Sequence, residues 1–262
     1  MNYEIIDFHT HPFMDPAHNI ASHKDYCGMS MENTKEVFDH LGISKICGSV
    51  IRAGGAGESD PWTVIRENNA QALQLRKAYG GFYVPGFHVH PAYVEESVAE
   101  IERMHALGVN LIGELVPYYD RWNDHTYASP AFSEILDAAE KYDMVVSFHS
   151  QNEDEIDKMV ASHPNIRFVA AHPGEYPAFM RHIERAKMSD NYYLDLSGTG
   201  LFRYGMLRRA IDDMGLEHIL FGSDYPTCNP AMFSGAVLLD PLLTDAEREK
   251  VLCGNAKALL GL

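Results

Sequence analysis

The stretch 94-VEESVAEIERMHALGVNLIGELV-116 changes its period halfway along. In its first part, apolar residues recur at three- and four-residue spacing (Val94, Val98, Ile101, Met104), the stripe of a helix resting on a core. Gly108 closes that pattern, because glycine takes the left-handed conformation that ends a helix at little cost. The run that follows, 109-VNLIGELV-116, has the length and composition of a buried strand. Helix, glycine stop and buried strand in succession are the repeating unit of a parallel sheet, whose strands need a crossover between them.

Working outward from this unit, the same alternation runs through the chain. Strand candidates are 3-YEIIDF-8, 45-KICGSVI-51, 82-FYVPGFHV-89, 109-VNLIGELV-116, 144-MVVSFH-149, 166-IRFVAA-171, 192-YYLDLS-197 and 218-HILFGS-223. Between them lie amphipathic segments such as TKEVFDHLG, stopped by Gly42, and SPAFSEILDAAEKY, opened by the Ser129-Pro130 pair that suits a helix start. Eight such units in 262 residues predict an α/β fold, a (β/α)8 TIM barrel forming a single domain over 1–262, with a doubly wound open sheet as the alternative. The loop 12–32 is the longest unassigned stretch and the natural lid. The segment 52-RAGGAGESD-60 lacks the Lys-Ser/Thr pair of a phosphate loop and the spacing of a dinucleotide fingerprint, so its glycines are read as turn formers.

Composition narrows the function. With 37 acidic and 21 basic residues the formal charge is −16, which repels nucleic acid and anionic membranes. Cys27, Cys47, Cys228 and Cys253 are scattered without a Cys-x-x-Cys pair, as expected of reduced thiols in a cytoplasmic protein. The N-terminal residues do not read as a signal peptide, and no apolar run reaches the ~20 residues of a membrane span. A small-molecule substrate is the expected partner, with a homodimer as an open option.

In a barrel the chemistry sits at the C-terminal ends of the strands. The first strand runs into 7-DFHTHPF-13, where His9 and His11 project to one side about 7 Å apart along the backbone. The fourth strand carries Glu114, the fifth ends in His149, the sixth in His172 and the eighth in Asp224. Four histidines and two carboxylates from five strand ends make a donor set suited to a divalent transition metal. His172 serves either as a ligand or as a hydrogen-bond donor to substrate. His88 and His90 repeat the His-x-His spacing at the end of the third strand, where they line the pocket without adding to an already full ligand set. His40, His105, His163 and His182 fall on helical patterns and are read as solvated. Arg52, Arg121 and Arg203 follow strands and are candidates, with His90, for contacting a substrate carboxylate.

The segments IIDFHTHPF, IGEL, AAHPG, HILFGSDYP and the closing GNAKALLGL together make the chain resemble the amidohydrolase superfamily, in its amidohydrolase-related (amidohydrolase 2) branch. The resemblance implies that His9, His11, His149 and Asp224 bind metal, that His172 binds a second ion or faces the substrate, and that Glu114 stands where many two-metal relatives carry a bridging lysine. It further implies one or two Zn²⁺ per chain, with Mn²⁺ or another divalent ion as substitutes. The reaction expected is hydrolysis of a small ester, lactone or amide by a metal-activated water, with Asp224 and His172 as catalytic groups. The alternative is non-oxidative decarboxylation of an aromatic or unsaturated acid. A TatD-like phosphodiesterase is disfavoured by the negative charge, and a non-catalytic binding protein by the retention of all six polar strand ends.

Overall fold

The eight expected strands occur in chain order and pair in that order. The computed structural model describes residues 3–23, 28–52, 60–201 and 203–262. Among these residues the strands are β1 (Ile5–Asp7), β2 (Ile43–Gly48), β3 (Tyr83–Phe87), β4 (Leu111–Leu115), β5 (Val145–His149), β6 (Arg167–Ala171), β7 (Tyr192–Asp195) and β8 (Ile219–Leu220). Each is parallel to the next. The ring is closed by hydrogen bonds beyond the assigned strands: Phe8 N–H to the Phe221 carbonyl at 2.9 Å, Asp224 N–H to His9 at 2.8 Å and His11 N–H to Tyr225 at 2.7 Å. The architecture is therefore the α/β TIM barrel rather than the open doubly wound sheet.

Strand alternation sorts the apolar side chains into two cores. Ile6, Cys47, Leu111, Val145, Val169 and Leu220 gather inside the ring with Ala256 and Leu259 of the C-terminal helix, which form its floor. Ile5, Ile46, Ile112, Val146, Phe168 and Ile219 instead meet helix residues such as Phe38, Leu75, Ile101, Ile135, Ile156 and Ile183 in the layer between strands and helices. Inward positions above the floor are left to polar groups, and the site lies there.

The differences from the sequence reading are at strand ends. β8 stops at Leu220 instead of 223 because Gly222, Ser223 and Asp224 leave the ladder to face the mouth, with the Ser223 N–H held at 2.9 Å by Asp7 Oδ1. β2 begins at Ile43, which pairs with Ile5. Two helix histidines read as solvated are buried: His182 Nδ1 meets the Tyr192 hydroxyl at 2.7 Å, and His163 Nε2 meets the Ser133 hydroxyl at 3.2 Å. Both lie on the apolar side of their segments, where a polar partner from a neighbouring element engages one nitrogen of the ring. His40 and His105 are exposed as expected.

In the segment 12–32, a single turn of 3-10 helix (Pro16–His18) is exposed, but buried Phe13, Asn19 and Ala21 fasten it on both sides. Residues 24–27, with Cys27, and residues 53–59 of the glycine-rich segment lie outside the described residues. Cys47, Cys228 and Cys253 are free thiols. Among the described residues no helix is long and apolar enough to cross a membrane.

Candidate metal centre

His9 and His11, at the end of β1, direct their Nε2 atoms at each other across 3.2 Å. The opposite ring nitrogens explain this orientation. His11 Nδ1 lies 3.0 Å from the Ser49 carbonyl, which can only accept, so Nδ1 donates. His9 Nδ1 lies 2.8 Å from Asp195 Oδ2. Glu114 from β4 completes a triangle, with Oε2 3.2 Å from each Nε2. Asp224 adds Oδ1 at 3.5 Å from His11 Nε2 and 3.8 Å from His9 Nε2.

The other oxygen of Glu114 faces the opposite wall, 3.0 Å from His149 Nδ1 and 3.5 Å from His172 Nε2. One carboxylate thus divides the donors into two groups: His9, His11 and Asp224 on one side, His149 and His172 on the other. The donor atoms of His9, His11 and Asp224 lie within 4.8 Å of one another, as do those of Glu114, His149 and His172 and those of His9, His172 and Asp195.

The donor chemistry and spacing can be tested against a cation. Tetrahedral ligands 2.0–2.1 Å from a zinc ion lie about 3.3 Å apart. The first group and Glu114 Oε2 show separations of 3.2 to 3.8 Å. Four ligand atoms this close need a proton or a cation among them. Burial alone would lower the His9 pKa, yet Asp195 and Glu114 hold it well above the usual value. Burial alone would likewise raise the Glu114 pKa, but His9 and the hydrogen bonds from His11 and His149 keep it far below the ordinary carboxylate range. Burial raises the Asp224 pKa, partly offset by His9 and His11. These residues could therefore hold one divalent ion between His9, His11, Asp224 and Glu114, and a second between Glu114, His149 and His172.

Local backbone geometry serves the same end. His172 and Asp224 both adopt left-handed φ, at 71° and 60°, where the chain leaves its strand to aim a side chain inward. Glycines make room beside two rings: a Cβ on Gly222 would lie 2.8 Å from His9 Cβ, and one on Gly198 would lie 2.3 Å from His172 Nδ1.

Asp195 and Ser197, at the end of β7, escaped the sequence reading. Asp195 is fully buried; burial would raise its pKa, but His9 and Ser197 bring it below the ordinary value. The signal was present in YYLDLS, a strand whose end is polar like the others, and the strand-end criterion applied to it would have found both residues.

The remaining candidates have other partners. His90 accepts from the Ala92 N–H at 3.0 Å through Nδ1 and lies 3.0 Å from the Asp120 carbonyl through Nε2, so both ring nitrogens are engaged. Arg52 bonds Asn68 at 2.9 Å and Glu67 at 2.5 Å, and Arg203 bonds the Gly174 carbonyl at 3.0 Å and also Glu175. Arg121 sits in the left-handed region after the Pro117–Asp120 helix. His88, 3.2 Å from Asp120 Oδ2 and 3.1 Å from the Val50 carbonyl, meets an acceptor at each nitrogen. Burial would lower its pKa, but Asp120 raises it, so His88 ties β3 to the helix that carries Tyr118. Tyr118 sets its ring edge-on to His149 at 5.4 Å and is exposed at the mouth.

Solved structures share this fold. An uncharacterised TIM-barrel protein from Bordetella bronchiseptica superposes with a TM-score of 0.81 at 21% identity, covering 98% of each chain. A 2,6-dihydroxybenzoate decarboxylase from Rhizobium gives 0.76 at 16% identity, covering 100% of this chain and 99% of its own. A dihydroxybenzoic acid decarboxylase from Polaromonas sp. JS666, with bound manganese and the inhibitor 2-nitroresorcinol, gives 0.76 at 16%, covering 100% and 98%. No curated protein matches the chain. The amidohydrolase family model matches residues 6–262, nearly the whole length, and the chain belongs to that family.

Proposed function

We propose that this enzyme is a two-metal hydrolase that cleaves a small-molecule ester, lactone or amide. The observation that carries the reading is Glu114, which turns one oxygen to the His9–His11 pair and the other to His149 and His172. Two like charges close together repel strongly, and a carboxylate with an oxygen for each offsets that repulsion. Zn²⁺ suits the histidine-rich donors, with Mn²⁺ as a substitute; the Polaromonas relative carries manganese.

Divalent ions held there would bring a water towards neutral pKa and polarise a carbonyl oxygen. Asp224, at the mouth with its Oδ1 beside both first-strand imidazoles, takes the proton of the attacking water and returns it to the leaving group. His172 holds its Nε2 towards the centre beside Glu114 Oε1, where with His149 it would take the second ion. His9 and His11 keep their Nδ1 protons on Asp195 and Ser49, which leaves each Nε2 lone pair for binding.

A second reading, a one-metal decarboxylase, draws support from the chemistry of the Rhizobium and Polaromonas relatives and from the hydrogen bond between Glu114 and His149, which a purely protein-bound carboxylate would also make. Elemental analysis of protein purified without chelator separates the two. About two ions per chain, falling towards one in Glu114→Gln with loss of hydrolysis, supports the hydrolase. One ion in the parent protein, unchanged by Glu114→Gln, overturns it in favour of decarboxylation.

A further inference from the structure

We infer that Ser197 is a positioning residue whose hydroxyl decides which nitrogen of His172 is free to bind, and so holds the second half of the metal centre. This deepens the two-ion reading and rests on it for its metal-binding consequence, though not for its proton assignment.

Ser197 is fully buried just past β7. Its hydroxyl lies 3.0 Å from His172 Nδ1 and 3.0 Å from His9 Nδ1, and makes a very short contact with Asp195 Oδ1. A hydroxyl has one proton and two acceptor sites. The carboxylate of Asp195 can only accept, so the Ser197 proton goes to it, an arrangement reinforced by the Ser197 N–H donating to the same oxygen at 2.9 Å. What remains for the imidazoles is lone-pair density, and a lone pair is satisfied only by an N–H. His172 therefore carries its proton on Nδ1 and keeps Nε2 bare, the atom that faces Glu114 Oε1 at 3.5 Å.

The two histidines do not depend equally on this hydroxyl. His9 Nδ1 has a second acceptor, Asp195 Oδ2 at 2.8 Å. For His172 Nδ1, Ser197 is the side-chain partner among the described residues. Without the hydroxyl, the Glu114 carboxylate competes unopposed for the imidazole proton and draws it to Nε2, the end that must be bare for a metal.

The test uses Ser197→Ala, which removes the hydroxyl and adds no bulk. Nitrogen-15 NMR of the histidines in chelator-treated parent protein should show His172 with a protonated Nδ1 and a bare Nε2, and in Ser197→Ala the proton should move to Nε2. Zinc titration should show the second ion weakened by about 10- to 100-fold and the first by only a few-fold. If the alanine variant does not fold, Asp195→Asn examines the same point. It weakens the acceptor that fixes the Ser197 proton, which frees the hydroxyl to donate to His172 Nδ1, and the same shift to Nε2–H is expected. A parent protein with His172 protonated on Nε2, or a His172 spectrum unchanged in the variant, overturns the role of Ser197. If the parent binds only one ion, the two-ion reading fails, while the NMR comparison still decides what Ser197 does.

Discussion

The backbone N–H of Asp224 donates to the carbonyl of His9 across 2.8 Å, joining the two ends of the barrel directly beneath the side chains that face each other in the site. Asp224 does this at a φ of 60°. A residue held in that conformation by a main-chain bond to its opposite wall is aimed by the closure of the ring itself.

Asp224→Asn should leave the fold intact, because asparagine tolerates left-handed φ and retains an oxygen for binding. It cannot accept a proton at neutral pH, so hydrolytic turnover should fall by about 10²-fold or more with metal content unchanged. Steady-state rates beside elemental analysis check this; a near-normal rate removes Asp224 from proton transfer.

His9→Ala and His11→Ala should abolish metal binding while sparing the barrel, since the two apolar cores lie below and outside these side chains. Calorimetric zinc titration together with circular dichroism is the measurement. Collapse of the fold in both variants would assign the pair a structural role.

Gly198→Ala should both destabilise the protein and disturb His172. A side chain at φ +61° is strained, and its Cβ would fall 2.3 Å from His172 Nδ1. Strain and overpacking of this kind cost about 1–3 kcal/mol. A melting point several degrees lower, with weakened binding of one ion, is expected; an unchanged melting point would contradict the close packing of Gly198 against His172.

His182 makes a pH prediction. Burial and then the Arg185 charge push its pKa down to about 3, against 6.5 for the free side chain. The folded state binds fewer protons than the unfolded one between these values, so stability from this group is complete above pH 6.5 and lost as pH falls below it. The slope from this single group is up to about 1.4 kcal/mol per pH unit. Denaturant unfolding between pH 8 and 5 should show a shallower loss in His182→Gln than in the parent; parallel slopes would mean that His182 is protonated in the fold.

Much of this was legible in the sequence. The alternation of helix and strand periods is set by burial on a repeating layer, so the barrel and its strand order could be read from local pattern. His9, His11, Glu114, His149, His172 and Asp224 could be found because each is a polar residue at the end of an apolar run. Which oxygen of Glu114 faces which histidine could not, since that depends on the ring closing to bring β1 and β8 together. The burial of His182 was hidden for a related reason: its partner, the Tyr192 hydroxyl, comes from a strand and not from its own helix. Sequence likewise does not display that Glu67 lies beside Arg52 and Glu175 beside Arg203 in space.

Closure of the ring between β1 and β8 also orders events in time. His9 and His11 leave the ribosome about 200 residues before Asp224, a gap of roughly 10 to 40 s at ordinary synthesis rates. Ser49, whose carbonyl fixes His11, follows 38 residues after it, whereas Glu114, Asp195 and Asp224 arrive progressively later and the sheet edge stays unsealed until β8. Before β4 is made, the pair offers a passing cation only a weak two-nitrogen grip, and the full donor set waits for the last strand. Chains that end before Asp224 should therefore hold a divalent ion less tightly than the finished barrel.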